Sequence, residues 1–236
     1  MKKIISLGFA LFCFGTSSIL AENCQIKTGF TAGAQVGYIH STGTFNSNFY
    51  TPFPIDTSAF VSGTNSNSSA LFGVIGGYRE VFMPGYTLGI DVSANYVGLN
   101  DIRKQFVQIS STFINQLKRT YNIIPNLTLG TFLSNRFLAT LSIGMGVSRF
   151  HLFVDNRAGG VTVRASSTRV SFAPSLGFEY ATSGNISLIG SATYEIYSRV
   201  KNVYNSRVAP ALQGSNYTTS ISPRYLTLKG GFVFKF

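Results

Sequence analysis

Side chains that serve as general bases or metal ligands are scarce in this 236-residue sequence, which has two histidines and two cysteines. His40 and His151 stand far apart, and no stretch gathers the histidines, cysteines and carboxylates that a metal site requires. The glycine pairs Gly76-Gly77, Gly159-Gly160 and Gly230-Gly231 lack the strand-to-helix context of a phosphate-binding loop. The sequence therefore predicts no catalytic residue, no metal and no cofactor.

Charged side chains within alternating segments are the next candidates, because residues two apart in a strand share one face. Seven of them fall on the face that would point inward if the strands closed into a ring: Arg79, Asp91, Arg169, Glu179, Glu195, Arg199 and Lys229. Lys235 falls on the same face at the inner rim. In a narrow interior the three acids would pair with the cations. We predict a charge network that plugs the lumen, and a narrow ion path along the same residues is the alternative.

The elements that would position these charges are strands. Apolar residues alternate with small or polar ones over eight segments, near 26–40, 70–82, 86–97, 119–133, 137–149, 170–181, 186–199 and 224–236. Each segment has at least the length of about 9–11 residues with which a tilted strand crosses a bilayer. The sequence predicts an all-β fold, a closed antiparallel transmembrane β-barrel of about eight strands.

The connections between these segments alternate in length. Tight turns at 83–85, 134–136 and 183–185 are interleaved with long polar stretches at 41–69, 98–118, 152–168 and 201–223. Bacterial outer-membrane barrels have short turns on the periplasmic side and long loops on the extracellular side. We therefore expect long extracellular loops, and an even number of strands places both chain ends in the periplasm.

The second long connection carries a different pattern. Ile102, Phe106, Ile109, Phe113 and Leu117 recur every three or four residues, which is the spacing of an amphipathic helix. The pattern predicts a short helix over 101–119. A loop whose apolar side lies on the barrel rim is the alternative.

The first residues are typical of a secretory signal peptide. Lys2 and Lys3 precede a short apolar run, and small and polar residues follow up to Ala21. The run is shorter than the roughly 20 residues that a membrane-spanning helix needs. We predict cleavage after Ala21 and a single barrel domain over 22–236, in which Cys24 has no second cysteine to pair with.

A second set of cations lies in the long connections: Arg103, Lys104, Lys118, Arg157, Arg164, Lys201 and Arg207. Exposed cations can bind phosphate groups through charge-assisted hydrogen bonds. In an exported chain, scattered cations favour anionic lipopolysaccharide, or acidic polymers of a host or neighbouring cell, over nucleic acid. Solubility alone is the alternative explanation for any one of them.

The last strand has its own spacing. Lys229, Gly231, Phe234 and Phe236 follow the order polar, glycine, apolar, aromatic and end at the terminus. This pattern resembles the C-terminal strand that the outer-membrane assembly machinery recognises. Together with the strand and turn pattern, it makes the mature chain similar to small eight-stranded outer-membrane barrels: the OmpA-like transmembrane domain, OmpX-like proteins and opacity-type surface antigens of Gram-negative bacteria.

This resemblance implies an outer-membrane protein that contacts lipid and lipopolysaccharide and has a structural, adhesive or surface-antigen role. In some members it implies slight pore activity, so a narrow porin is the alternative function. Barrels of this kind that deacylate lipid A resemble one another in a His-x-Ser pair. Here the residues two after His40 and His151 are Thr42 and Phe153. We therefore expect a protein without enzymatic activity.

Overall fold

The computed structural model describes residues 26–51, 57–83, 85–98, 101–108, 111–156, 161–182, 185–205 and 216–236. The predicted signal peptide, its cleavage site, Arg157 and Arg207 lie outside these ranges. Within them the chain forms ten strands: β1 (Gly29–Thr51), β2 (Thr57–Met83), β3 (Tyr86–Val97), β4 (Asp101–Gln108), β5 (Ser111–Ser134), β6 (Phe137–Asn156), β7 (Val161–Ala181), β8 (Ile186–Tyr197), β9 (Val200–Asn205) and β10 (Asn216–Lys235).

The strands close into a ring of eight staves, where a stave is one strand or two strands placed end to end. The order is β1-β2-β3-β5-β6-β7-β8-β10, and β10 pairs with β1 to complete the ring. Strand β4 continues the stave of β3 and pairs with β5, while β9 continues the stave of β8 and pairs with β10. All the pairings are antiparallel, so the predicted closed antiparallel barrel is confirmed.

Within the described ranges, no helix has the length and the apolar character that a membrane span would need.

An apolar band surrounds the half of the barrel that carries the short turns. Large outward side chains such as Ile90, Ile143 and Leu176 are 57–65% exposed there. We define the apolar band by these members: Val36, Tyr38, Phe72, Val74, Ile90, Val92, Tyr96, Tyr121, Ile123, Leu127, Leu141, Ile143, Phe172, Leu176, Leu188, Tyr194, Ile196, Leu226, Leu228 and Phe232. A continuous exposed apolar belt of this kind faces lipid, because exposing so much apolar surface to water would cost free energy.

Beyond the band the long connections continue as paired strands over most of their described length, where we expected irregular loops. For example, β1 and β2 stay in register from Gly29 opposite Arg79 to Thr51 opposite Thr57. Several inward residues are apolar there, as at Ile39 and Phe45, while most outward residues are polar because they have left the lipid. We call these segments the crown: residues 39–51, 57–71, 101–108, 111–119, 148–156, 161–169, 200–205 and 216–225.

The helix predicted over 101–119 is also wrong. Strand β4 and the start of β5 form an antiparallel pair in which Ile102 lies opposite Leu117, and both side chains are fully buried. Residues four apart share a face in a strand as well as in a helix, so this spacing does not distinguish the two structures. Burial of Ile102 and Leu117 in the barrel interior stabilises the strand pairing instead.

Besides the shifts next to the short turns at 81–83 and 132–134, two register shifts interrupt the alternation of faces. In β5, Thr120 and Tyr121 stand opposite the single residue Arg149 of β6. Between β8 and β9, residues 197–199 stand opposite the two residues 222–223 of β10. One extra residue moves every later side chain to the other face.

These shifts correct the predicted position of Arg199 and explain that of Arg119. Arg119, which strict alternation places on the outer face, is only 1% exposed inside the barrel. Arg199, which strict alternation places in the lumen, is exposed. A bulge therefore explains each difference.

Candidate functional site: the lumen and the rim

The crown half of the lumen is filled by an apolar cluster. Its members are 0–5% exposed: Ile39, Phe45, Leu71, Val97, Ile102, Leu117, Phe150, Leu152, Val154, Tyr197, Val200, Ile221 and Tyr225. We call this the upper cluster. Two of its aromatic pairs, Phe150 with Tyr197 and Tyr197 with Tyr225, pack edge to face at 5.0 and 5.6 Å between ring centroids. These buried side chains pack across the crown half of the lumen, beside a hydrogen-bonded polar group of Ser47, Asn115 and Thr219.

Beneath the upper cluster lies a buried ion pair. Arg119 Nη1 is 2.8 Å from Glu195 Oε2, and both side chains are 1% exposed. The same carboxylate oxygen accepts hydrogen bonds from Tyr197 Oη at 2.6 Å and Asn122 Nδ2 at 3.0 Å. The Arg119 guanidinium carbon also lies 3.9 Å from the centre of the Tyr225 ring. Several partners thus offset the cost of burying both charges.

A second ion cluster lies near the short turns. Glu179, which is 1% exposed, contacts Arg79 through one oxygen and Lys235 Nζ at 2.6 Å through the other. These residues come from β7, β2 and the closing strand β10, so the cluster ties distant staves together. Below it, buried Ile26 packs with Phe132, Leu138 and Ala181.

A polar cavity of about 80 Å³ separates the two ion clusters. Asp91 lines it and accepts hydrogen bonds from Asn126 Nδ2 at 2.8 Å and Thr128 Oγ1 at 2.7 Å. Lys229 lines it as well, and among the described residues no carboxylate lies within ion-pair distance of its amine. A polar cavity of this size has room for several water molecules.

The structure thus divides the seven residues of the predicted lumen network. Glu195 has a partner, but that partner is Arg119, whereas Arg79 and Glu179 contact each other. Asp91 and Lys229 line the cavity. Arg169 is half-buried and its Nε lacks a hydrogen-bond partner among the described residues. Arg199 takes no part, because it is exposed on the outer face.

Both histidines contact a serine across the sheet. His40 Nδ1 lies 3.0 Å from Ser68 Oγ, and His151 Nδ1 lies 2.8 Å from Ser166 Oγ. In each pair the serine stands directly opposite the histidine on the next strand. A search along the chain misses such pairs, whereas the strand register reveals them.

These serine–histidine pairs lack the third member of a catalytic triad. In the described parts of the chain, no carboxylate is hydrogen-bonded to either imidazole. Nor do those parts contain a group of three or more potential metal ligands. The pairs are cross-strand hydrogen bonds on the outer surface, and their geometry supports no reaction step by itself.

The predicted loop cations lie on crown strands where the structure describes them. Arg103, Arg164 and Lys201 are exposed, while Lys104 and Lys118 are half-buried. The Arg164 guanidinium lies 5.6 Å from the centre of the Phe153 ring. These cations are distributed over β4, β5, β7 and β9.

The predicted assembly residues lie along the closing strand. Phe234 and Phe236 are exposed on the lipid side. Gly231 stands opposite Gln35 in the seam between β10 and β1, where an added Cβ would meet the carbonyl oxygen of Ala34. Glycine is therefore required there by the close approach of two backbones.

Comparison with known proteins supports the architecture. The family model described as outer membrane protein beta-barrel domain matches residues 7–231. The outer-membrane protein OprG of Pseudomonas aeruginosa superposes with a TM-score of 0.52 at 14% identity, over 90% of this chain and 99% of that chain. At such identity the likeness shows the fold alone.

Two further solved structures are similar at lower scores. The attachment invasion locus protein Ail of Yersinia pestis gives a TM-score of 0.37 at 12% identity, over 89% of this chain and 100% of that chain. The outer membrane protease OmpT of Escherichia coli gives 0.47 at 9% identity, over 89% of this chain and 99% of that chain. No curated protein sequence matches the chain.

Proposed function

The chain belongs to the outer membrane protein β-barrel domain family, and we propose that it is a non-enzymatic surface protein with a structural or adhesive role. It lies in the bacterial outer membrane as a small barrel, and its crown faces outward, opposite the short periplasmic turns. The observation that carries the proposal is the combination of a filled lumen with a tall, paired and exposed crown.

The lumen favours a structural role over transport. The upper cluster fills one half of the interior, and the Arg119–Glu195 pair lies directly beneath it. An interior of eight staves is just wide enough for its own side chains. A solute on this path would have to displace buried apolar groups and separate a buried ion pair.

The crown supplies the surface for a contact. Its strands are held by backbone hydrogen bonds far beyond the apolar band, so a partner meets a rigid face instead of a mobile loop. Its exposed cations suit anionic partners: lipopolysaccharide, or acidic polymers of a host or neighbouring cell. Membrane lipid contacts the apolar band, and the assembly machinery would recognise β10 together with Phe236, which follows it.

Adhesion is tested by retention of cells on immobilised heparin. Heparin suits the test because its analogue sucrose octasulfate was captured in complex with Ail. Cells carrying the wild-type protein should be retained, and the variant R103Q/R157Q/R164Q/R207Q should lose most of this retention. The loss should be large at low salt and small at high salt, because salt screens exposed charges.

The matched control removes cations from the opposite end of the barrel. Lys27 and Arg136 are exposed on the short-turn side, so K27Q/R136Q should leave retention unchanged. If wild-type cells are retained no better than cells that lack the protein, the adhesive role is wrong. Equal losses in both variants would show a general effect of charge.

A narrow porin is the second candidate, and the polar cavity between Lys229 and the Arg79–Glu179 pair favours it. Planar-bilayer recording separates the two functions. Because the upper cluster closes the path, we expect no sustained single-channel steps from the wild-type barrel. Ion-selective steps that persist under voltage would establish the porin and overturn the closed lumen.

A further inference from the structure

The register shift between β8 and β9 turns a cation toward the membrane surface. Tyr197 and Val200 are both buried in the lumen, and the two residues between them, Ser198 and Arg199, are exposed. Strict alternation would place Arg199 inside, as the sequence suggests. Bulges of this kind re-aim side chains and are often found at functional positions.

Two more exposed cations flank Arg199. Arg224 on β10 stands opposite Ile196 on β8 and opposite Thr42 on β1, while Lys201 on β9 stands opposite Ser220. Arg199 lies between these two levels. The three cations therefore share a patch two strands wide and about 13 Å tall, from the rise of about 3.3 Å per residue.

The patch begins where the apolar band ends. Ile196 and Leu226, the band members next to it, are 45% and 43% exposed. Arg224 is the next residue beyond Leu226 on the same face of β10, in the direction of the crown. This is the level at which lipid headgroups meet the barrel, and long basic side chains reach such a boundary readily.

The surroundings of the patch carry no acid. The sequence has no aspartate or glutamate from 196 to 236, nor from 26 to 55, and these ranges form β9, β10 and β1. On the β5–β7 side, in contrast, Lys118 stands opposite Asp101, and Asp155 lies on the crown part of β6. The positive charge is thus uncompensated on one side of the rim.

We propose that Arg199, Lys201 and Arg224 form a binding site for the phosphate groups of lipid A, the membrane anchor of lipopolysaccharide. Guanidinium groups bind phosphate oxygens through paired, charge-assisted hydrogen bonds. The acyl chains of the same molecule would lie against Ile196 and Leu226. The site rests on the proposed function insofar as the crown faces the outer leaflet.

The site is tested with lipid A as the probe. The full mature barrel in detergent micelles is titrated with lipid A that carries both phosphates and with lipid A from which both have been removed. Wild-type protein should prefer the phosphorylated form. The variant R199Q/K201Q/R224Q should bind it about tenfold more weakly and should lose the preference.

The matched control removes three exposed cations outside the patch: Lys27 and Arg136 near the short turns, and Arg149 on β6. The variant K27Q/R136Q/R149Q makes the same change of net charge. Its affinity should stay within about twofold of wild type, because β6 pairs with neither β8 nor β10 and the short turns lie at the opposite end of the barrel. Equal weakening in the two variants would overturn the site, since total charge would then explain the binding. Both variants should keep the gel-mobility shift on boiling that marks a closed barrel.

Inorganic phosphate separates a lipid site from a site for free anions. At a concentration of about 10 mM it should not displace lipid A, because it lacks the acyl contacts. Displacement would overturn the lipid assignment. Heparin retention is measured in parallel on cells with R199Q/K201Q/R224Q. Failure of this site then appears in the lipid A titration, whereas failure of the adhesive role appears in heparin retention.

Discussion

Replacing Arg119 with methionine should destabilise the barrel by about 3–5 kcal/mol, because it leaves the buried Glu195 carboxylate without its counter-ion. Glu195 is 1% exposed and, among the described residues, would keep only the neutral hydrogen-bond donors Tyr197, Asn122 and Thr227. The loss of the contact with the Tyr225 ring adds to the effect. Urea titration followed by the gel-mobility shift measures the change in the unfolding midpoint.

Two further variants show that the buried pair causes this effect. Arg199→Met removes the same charge from an exposed position and should change stability by less than about 0.5 kcal/mol. The double variant R119M/E195Q removes both charges and should recover much of the lost stability. A midpoint for R119M equal to that of R199M would contradict the buried ion pair.

Replacing Gly231 with alanine should prevent much of the protein from closing, at a cost of about 1–3 kcal/mol or more. The new methyl group would meet the carbonyl oxygen of Ala34, and the Cα of Gln35 would lie 2.8 Å away. Both are backbone atoms of β1 and cannot move without separating the seam. The fraction of protein that shows the mobility shift on boiling is the measurement.

The neighbouring glycine is the control. A Cβ at Gly230 meets its nearest atom, the carbonyl oxygen of Ile189, at 3.9 Å, which is an ordinary contact. Gly230→Ala should therefore assemble like wild type. If both alanine variants assemble equally well, the seam tolerates a side chain, and Gly231 has no special role in closure.

Much of the barrel was predictable because lipid imposes a simple rule. Outward side chains must be apolar and inward ones need not be, so β6, with Leu141 and Ile143 outward, alternates clearly in the sequence. The tight turns also marked where staves end. Beyond the band this constraint disappears, and β1 and β2 continue as strands with polar residues on their outer face. Their composition is typical of loops, and in β1 the inward residues Ile39 and Phe45 are what indicates a strand.

The positions of the charges were harder to predict. A bulge adds one residue, leaves no residue type that identifies it, and reverses the face of everything that follows. For this reason Arg119 lies inside the barrel and Arg199 lies outside it, the reverse of what strict alternation predicts. Contacts such as His151 with Ser166 depend on the register between two strands, which one strand's own sequence does not specify.

The length of the strands has a consequence for reach. Strand β2 contains 27 residues, and its part over 57–71 lies beyond the apolar band. At about 3.3 Å per residue and a tilt of about 40°, that part rises about 40 Å above the membrane. The far ends of β1 and β2 thus stand clear of the sugars nearest the lipid. A phage, an antibody or a neighbouring cell meets these ends first, and changes there can alter recognition while the hydrogen-bonded cylinder below stays intact.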